Sequence, residues 1–431
     1  MSHYLDPISA VTQPRENLIR YLLTAYPLRD VHLRYGFQQL LEKWGNISQH
    51  PYVEGSQPYK TGSNLRELVA ENILHPTILD LFNVDRTLYQ HQELAIKTVV
   101  KDNKNIVVAT GTGSGKTECF LIPMMDYLLK NPHGGVQALI LYPMNALVND
   151  QVKRLRQILC QQSTENHLIR FGFYTSRTET SEKQALEALK IELEATPRDE
   201  LLALFRDEDN AHKITRKEDL VKSAIEKVTR IQAISREEIW DKPPQILVTN
   251  YSMLEHMLIR PKERQEIFES SPHFSLLVVD EAHSYTGSTG TEVSMLIKRL
   301  KSAVGIQEEG KMRGIATSAT LGDKNKPESK QQIKEFANSL FSESFEDNII
   351  YGDRTSIDER LGKPYPLPEA EIYQHLASLE LPSLNDSLDT WQEALSSIVP
   401  SHILKQTVGV EQCSTQKNPS THKHPYLNYC N

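Results

Sequence analysis

The chain has 431 residues, enough for two or three domains of ordinary size, and its 39% hydrophobic and 24% charged residues exclude a collagen-like, disordered or membrane-embedded composition. A formal net charge of −8 excludes a bulk basic footprint for nucleic acid and leaves only local ones. Four cysteines exclude a disulfide framework, no apolar run approaches the roughly 18 residues of a membrane span, and the N-terminus lacks a basic-then-apolar leader; these are the features of a cytoplasmic protein.

Residues 1–84 are predicted to form a helical, loop-rich accessory layer. Residues 16–23 carry one apolar period, and Phe37, Leu40, Leu41 and Trp44 carry another at helical spacing. Residues 45–63 read as a loop, and 65–82 as one or two short helices broken at His75-Pro76. Leu88-Tyr89-Gln90-His91-Gln92 then opens a helix toward Val100. A glutamine amide offers one donor and one acceptor, the pair that reads N6 and N7 of adenine. Gln92 is the candidate for that role, with Tyr89 as a stacking partner.

The β-branched run Ile106-Val107-Val108 is predicted to be a buried strand. It breaks into Thr110-Gly111-Thr112-Gly113-Ser114-Gly115-Lys116-Thr117 and an apolar helix from Phe120. Strand, glycine loop, Lys-Thr and helix make a phosphate-binding loop. Glycines let backbone N–H groups turn inward around a polyphosphate, and the helix N-terminus adds partial positive charge. Thr112, Gly113, Ser114, Gly115, Lys116 and Thr117 are the cradle, with Lys116 reaching the β and γ phosphates and Thr117 ligating Mg²⁺. Thr110 stands where the strict pattern has glycine.

Further strands are predicted over 136–142, 168–174, 246–248, 276–279 and 314–316, and helices follow most of them. Such alternation implies an α/β fold, a mostly parallel sheet covered by helices on both faces, with ligands at the carboxyl ends of the strands. Residues 178–243 differ: they are charged and helical, an insertion packed by Leu186, Leu189, Leu193, Leu220, Ala224, Ile225 and Val228. Its cations Lys213, Arg216, Lys217, Lys222, Lys227 and Arg230 are an alternative nucleic-acid or partner contact, diluted by interleaved acids.

The run Leu276–Val279 delivers Asp280-Glu281-Ala282-His283. Asp280 is placed to hold Mg²⁺ opposite Thr117, and Glu281 to orient and deprotonate the water attacking the γ-phosphate. His283 lacks partners at zinc spacing and instead suits hydrogen bonding toward Ser318 or Thr320, the hydroxyls of Ser318-Ala319-Thr320.

In this order, TGTGSGKT, LYPMNALVNDQ, TNY, DEAH and SAT resemble motifs I, Ia, Ib, II and III of superfamily 2 helicases, and Gln92 matches the Q motif. LYQHQ and DEAHSYTGSTGTEVSMLIKRL are similar to the large DEAD/DEAH-box DNA helicases of the YprA kind. The GKTECFLIPM stretch and the N-terminal layer resemble large bacterial helicases found among phage-defence genes. The resemblance covers roughly residues 85–350 and implies a RecA-like P-loop domain. It implies that Lys116, Thr117, Asp280 and Glu281 bind and hydrolyse ATP–Mg²⁺ and that His283, Ser318 and Thr320 couple nucleotide state to strand grip. It also implies that Pro143, Asn145, Thr249 and Asn250 contact the sugar-phosphate backbone of single-stranded or duplex DNA. RNA is the alternative substrate.

A working motor of this kind has a second RecA-like domain carrying arginine fingers in a Q-x-x-G-R-x-x-R motif, and the chain contains no Gly-Arg dipeptide. Residues 351–407 read as a linker and helical segment and 408–431 as a disordered tail. The expectation is a first motor domain, its partner domain on another chain or missing, with weak ATP binding and slow turnover by itself. The competing expectation is a catalytically incomplete ATP- and DNA-binding fragment or split subunit. Cys413, His422, His424 and Cys430 match no familiar zinc spacing.

Overall fold

The computed structural model describes residues 7–49, 57–82, 86–162, 168–205, 211–319 and 326–355, without the side chains of 7–11 and 145–149. Thr320, the expected linker beyond residue 355 and the tail with its Cys and His residues lie outside that description. Two compact units divide the chain, one spanning Pro58–Thr355 and the other holding the residues up to Gln57 together with those from Ser356 onward. In the latter, helix α1 (Pro7–Ala25) and helix α2 (Val31–Glu42) are described. Asp30 caps α2 by accepting from the Leu33 N–H, and the Arg15 guanidinium lies 4.1 Å over the Trp44 ring.

The unit from Pro58 opens with strand β1 (Thr61–Asn64), the short helices α3 (Leu65–Ala70) and α4 (Ile78–Leu81), and strand β2 (Thr87–Tyr89). This unit begins at residue 58. Leu65, Leu68, Ile78 and Leu81 join the main core. Next come α5 (Gln90–Val100), β3 (Ile106–Ala109), α6 (Glu118–Lys130), β4 (Ala138–Tyr142), α7 (Asn145–Leu159) and β5 (Phe171–Tyr174). Residues 178–243 hold α8 (Glu182–Ala195), α9 (Arg198–Leu202), α10 (Lys217–Ile231), the two-residue strand β6 (Gln232–Ala233) and α11 (Arg236–Asp241). The chain continues through β7 (Ile246–Asn250), α12 (Tyr251–Ile259), the single turn α13 (Pro261–Glu263), β8 (Leu276–Val279), α14 (Gly287–Ala303), β9 (Arg313–Ser318), α15 (Pro327–Phe341) and β10 (Ile349–Tyr351).

β1 and β2 pair antiparallel. The other eight strands form one sheet in the order β10-β3-β9-β8-β4-β7-β5-β6, and every pairing in it is parallel. This is the expected α/β architecture, RecA-like with helices on both faces. Because strand side chains alternate, Val108, Ile140 and Val278 share one face while Val107, Leu139 and Leu277 share the other. The first face is covered by helices including α5, α6, α7, α8 and α10 through residues such as Ala95, Phe120, Leu155, Leu189 and Leu220. The second is covered by α12, α14 and α15 through residues such as Leu254, Ile297 and Leu340. Burial on both faces is why these strands read as unbroken apolar runs.

The register decides what meets what. β3 pairs with β9 so that Ala109 faces Ser318, and β9 pairs with β8 so that Ala316 faces Val279. On the far side of β8, Leu141 of β4 faces Val279, and Tyr142 faces Asn250 of β7. The carboxyl ends of five neighbouring strands thus deliver Thr110, Ser318, Asp280, Pro143 and Asn250 to one edge.

Candidate nucleotide and nucleic-acid site

The loop after β3 turns through two left-handed glycines, Gly113 (φ +73°) and Gly115 (φ +72°), a conformation that a side chain would strain. A Cβ on Gly115 would also come within 2.3 Å of Gln92 Nε2. Thr110 closes the base of the loop through a 2.7 Å hydrogen bond between its hydroxyl and that of Ser114, both buried. Ser114 therefore offers the cradle its backbone N–H, its hydroxyl being engaged below. Thr112 and Gly113 are exposed at the tip, and Thr117 enters α6 with its hydroxyl making no capping bond.

Gln92 is 1% exposed and both ends of its amide are engaged. Its Nε2 donates to the Gly115 carbonyl at 2.9 Å, and its Oε1 accepts from the Tyr89 N–H at 2.8 Å. The amide expected at adenine thus grips the phosphate loop. His91 adds a second grip, its Nε2 2.9 Å from the Ser114 carbonyl. A carbonyl only accepts, so Nε2 carries the proton, and the buried Nδ1 has no hydrogen-bond partner. Burial pushes the His91 pKa down. Tyr89 stacks on His91 (centroids 5.6 Å apart, planes 19° apart) and lies 5.5 Å from the Tyr59 ring.

Asp280 and Glu281 leave the tip of β8. Asp280 is 8% exposed; its Oδ1 accepts from the Thr317 hydroxyl and, at 3.1 Å, from the Glu281 N–H. Burial raises the Asp280 pKa, the Thr317 hydrogen bond opposes the shift, and the neighbouring Glu281 charge adds to it. Glu281 is itself left-handed (φ +49°), a rare state for a residue with a Cβ, of the kind that clusters at functional sites. That conformation turns Glu281 Oε1 to within 3.3 Å of Lys116 Nζ. His283 Nδ1 is 3.3 Å from Glu281 Oε2 and 3.2 Å from the Ser318 hydroxyl. A chain of contacts therefore runs Lys116, Glu281, His283, Ser318, bringing together residues from β3, β8 and β9. Hard oxygen donors, a carboxylate and a hydroxyl, are the donor set that Mg²⁺ prefers, so Asp280 and Thr117 suit the ion chemically.

Pro143 is half-buried at the end of β4, and Asn145 is the first residue of α7, its side chain outside the described set. Thr249 is fully buried and its hydroxyl donates to the Tyr174 carbonyl at 2.6 Å. Asn250 is 9% exposed and caps α12, its Oδ1 accepting from the Met253 N–H at 2.8 Å. Of the cations of 178–243, Lys217 donates to the Glu194 carbonyl and Lys227 lies over the Phe205 ring.

Sequence reasoning missed Thr317, the hydroxyl that holds Asp280, because only the β8–β9 register makes them neighbours. It also missed His91, which stands beside Gln92 in the same short run.

Residues 89–221 and 208–328 match the family model described as DEAD/DEAH box helicase. The chain is 34% identical over 369 residues to the Druantia protein DruE of Escherichia coli, covering 71% of this chain and 20% of that protein. It is 25% identical over 238 residues to the uncharacterized ATP-dependent helicase YprA of Bacillus subtilis, covering 55% and 23% respectively. The crystal structure of the DUF1998 helicase MrfA bound to DNA aligns with a TM-score of 0.45 at 20% identity, over 69% of this chain and 31% of that one. The chain thus spans under a third of the length of these relatives.

Proposed function

Because the chain belongs to the DEAD/DEAH box helicase family, whose members use ATP, we propose that this superfamily 2 motor domain binds ATP–Mg²⁺ on residues 112–117 and grips one strand of nucleic acid, DNA in preference to RNA. The observation that carries the reading is the meeting of Lys116, Glu281 and the Asp280–Thr317 pair at one strand edge.

In this reading Lys116 neutralises charge on the β and γ phosphates, and the inward N–H groups around Gly113 and Gly115 cradle them. A γ-phosphate competes with Glu281 for Lys116, which releases the carboxylate to orient the attacking water and take its proton. Thr117 and Asp280 hold Mg²⁺, which when bound neutralises charge on the phosphate oxygens. His283 and Ser318 link Glu281 to β9 and so report the nucleotide state to neighbouring strand ends. Pro143 and Asn145, at the start of α7, contact the sugar-phosphate backbone, a polar grip indifferent to base sequence. The preference for DNA rests on the likeness of the acidic-motif region to YprA-type helicases.

ATP hydrolysis by the full chain, with oligo(dT), with oligo(U) and with neither, tests this against Glu281→Gln. Stimulation by oligo(dT), removed by the substitution, supports the reading. Stimulation by oligo(U) alone makes it an RNA motor. Hydrolysis unchanged by Glu281→Gln overturns the assignment of the base. ATP and strand binding with no hydrolysis support the narrower reading, a nucleotide- and strand-binding domain.

A further inference from the structure

Beside the phosphate loop lies a cavity of about 630 Å³ whose polar lining includes Arg86, Gln92, Glu118 and Arg154. Glu118 is the first residue of α6, immediately after Lys116-Thr117, and is 9% exposed. Its Oε1 accepts from Arg154 Nη2 at 2.6 Å and from Arg86 Nη1 at 3.3 Å. Its Oε2 is buried with no hydrogen-bond partner, in a side chain that closes to within 3.1 Å of where a Cβ on Gly115 would stand.

Arg154 belongs to α7, the helix whose first residue is Asn145. One charged contact therefore joins the helix that begins at the phosphate loop to the helix that begins at the proposed strand contact. Two residues further on, Arg156 points the opposite way, about 200° around the helix at ~100° per residue. It is buried and binds Glu192 at 2.6 Å and Gln232 at 2.7 Å. α7 is thus fastened on one side to α8 and β6 through Arg156 and on the other to the phosphate-loop helix through Arg154. Tyr142, the last residue of β4, has a buried hydroxyl without a hydrogen-bond partner and feels the charges of both Asp280 and Arg154.

We propose that Glu118 and Arg154 are positioning residues whose ion pair makes occupancy of the phosphate loop and strand binding at the start of α7 depend on each other. The inference rests on the functional reading above. A polyphosphate drawing on the loop N–H groups beside Gly115 shifts the first turn of α6. Arg154 carries that shift to α7, whose other face Arg156 holds fixed. The effect belongs to the coupling between two ligands and not to the affinity for either one alone.

The test is the dissociation constant of a fluorescent, non-hydrolysable ATP analogue with Mg²⁺, measured on the full chain with and without saturating oligo(dT). The ratio of the two constants is the coupling factor, and linkage requires the same factor in oligo(dT) affinity with and without nucleotide. The expected wild-type factor is about fivefold or more. It falls below about twofold in Glu118→Gln and in Arg154→Ala, while each single-ligand affinity changes less than about threefold, and it recovers in part when Glu118→Arg and Arg154→Glu are combined. Lys153→Ala, which removes the adjacent exposed partner of Glu200, leaves the factor intact. A purely structural role lowers both affinities and keeps their ratio, which overturns the proposal, as does a wild-type factor of one. If Arg154→Ala does not fold, Glu118→Gln, which keeps the shape of the side chain, and Arg154→Lys, which keeps the charge, give the same readout. Absence of analogue binding in the wild-type chain instead brings down the functional reading itself.

Discussion

Asp280 carries a buried carboxyl whose burial bears on stability. Burial makes its folded form hold a proton to higher pH than the unfolded chain does. In metal-free buffer its contribution therefore favours the folded state at low pH, and that favour is lost as pH rises from the ordinary carboxylate range through the raised value. Asp280→Asn removes the buried charge and should raise Tm at neutral pH by about 1–3 °C in thermal unfolding while abolishing hydrolysis. Glu281→Gln should lower hydrolysis by at least about 10²-fold without weakening ATP binding, since it removes both the base and a competitor for Lys116. For Gln92 the expected outcome separates two roles. As a grip on the loop, Gln92→Ala weakens ATP and GTP alike in competition binding. As an adenine reader, it would weaken ATP alone. That Lys116 and the Asp280–Glu281 pair stand at strand ends was legible in the sequence at this scale, because a lysine after a glycine loop and a carboxylate pair after a buried strand announce those positions. How each side chain is used was not. Gln92 and Thr249 have the right letters, but their polar atoms are engaged by Gly115, Tyr89 and Tyr174, partners set by tertiary register.

Among the elements, the central strands announced themselves and the edge strands did not. β3, β4, β7 and β8 are buried on both faces and so spell unbroken apolar runs. β1 reads Thr-Gly-Ser-Asn and β6 is two residues long; short edge strands with few apolar positions leave no periodic trace. The charged stretch 178–243 was legible as helical, and α8 and α10 do bury the expected faces through Leu189, Leu193, Leu220 and Val228. Strand β9 carries a steric demand visible only in three dimensions. A Cβ on Gly314 would stand 2.7 Å from Phe345 and 2.8 Å from Phe341. Gly314→Ala should therefore cost about 1–3 kcal/mol in chemical denaturation, with ATP-site residues untouched. Arg156→Ala, which leaves the buried Gln232 oxygen without its donor, should cost about 2 kcal/mol in the same measurement.

Across the whole molecule, a parallel sheet gathers motifs far apart in sequence because every strand delivers its carboxyl end to the same edge. Residues 110–117, 280–283 and 317–318 meet there because β3, β9 and β8 are neighbours in the sheet, an order that chain sequence alone does not dictate. The chain spans 20% of DruE and 23% of YprA. The central claim for this chain is that the edge built by Lys116, Asp280 and Glu281 is an ATP site. Equilibrium binding of ATP in the presence of Mg²⁺, measured by calorimetry on the wild-type chain beside Lys116→Ala, tests it most directly. Saturable one-site binding to the wild-type chain, weakened at least about tenfold, roughly 1.4 kcal/mol, by the substitution, is the expected result. Equal binding by both proteins, or none by the wild-type chain, would contradict it.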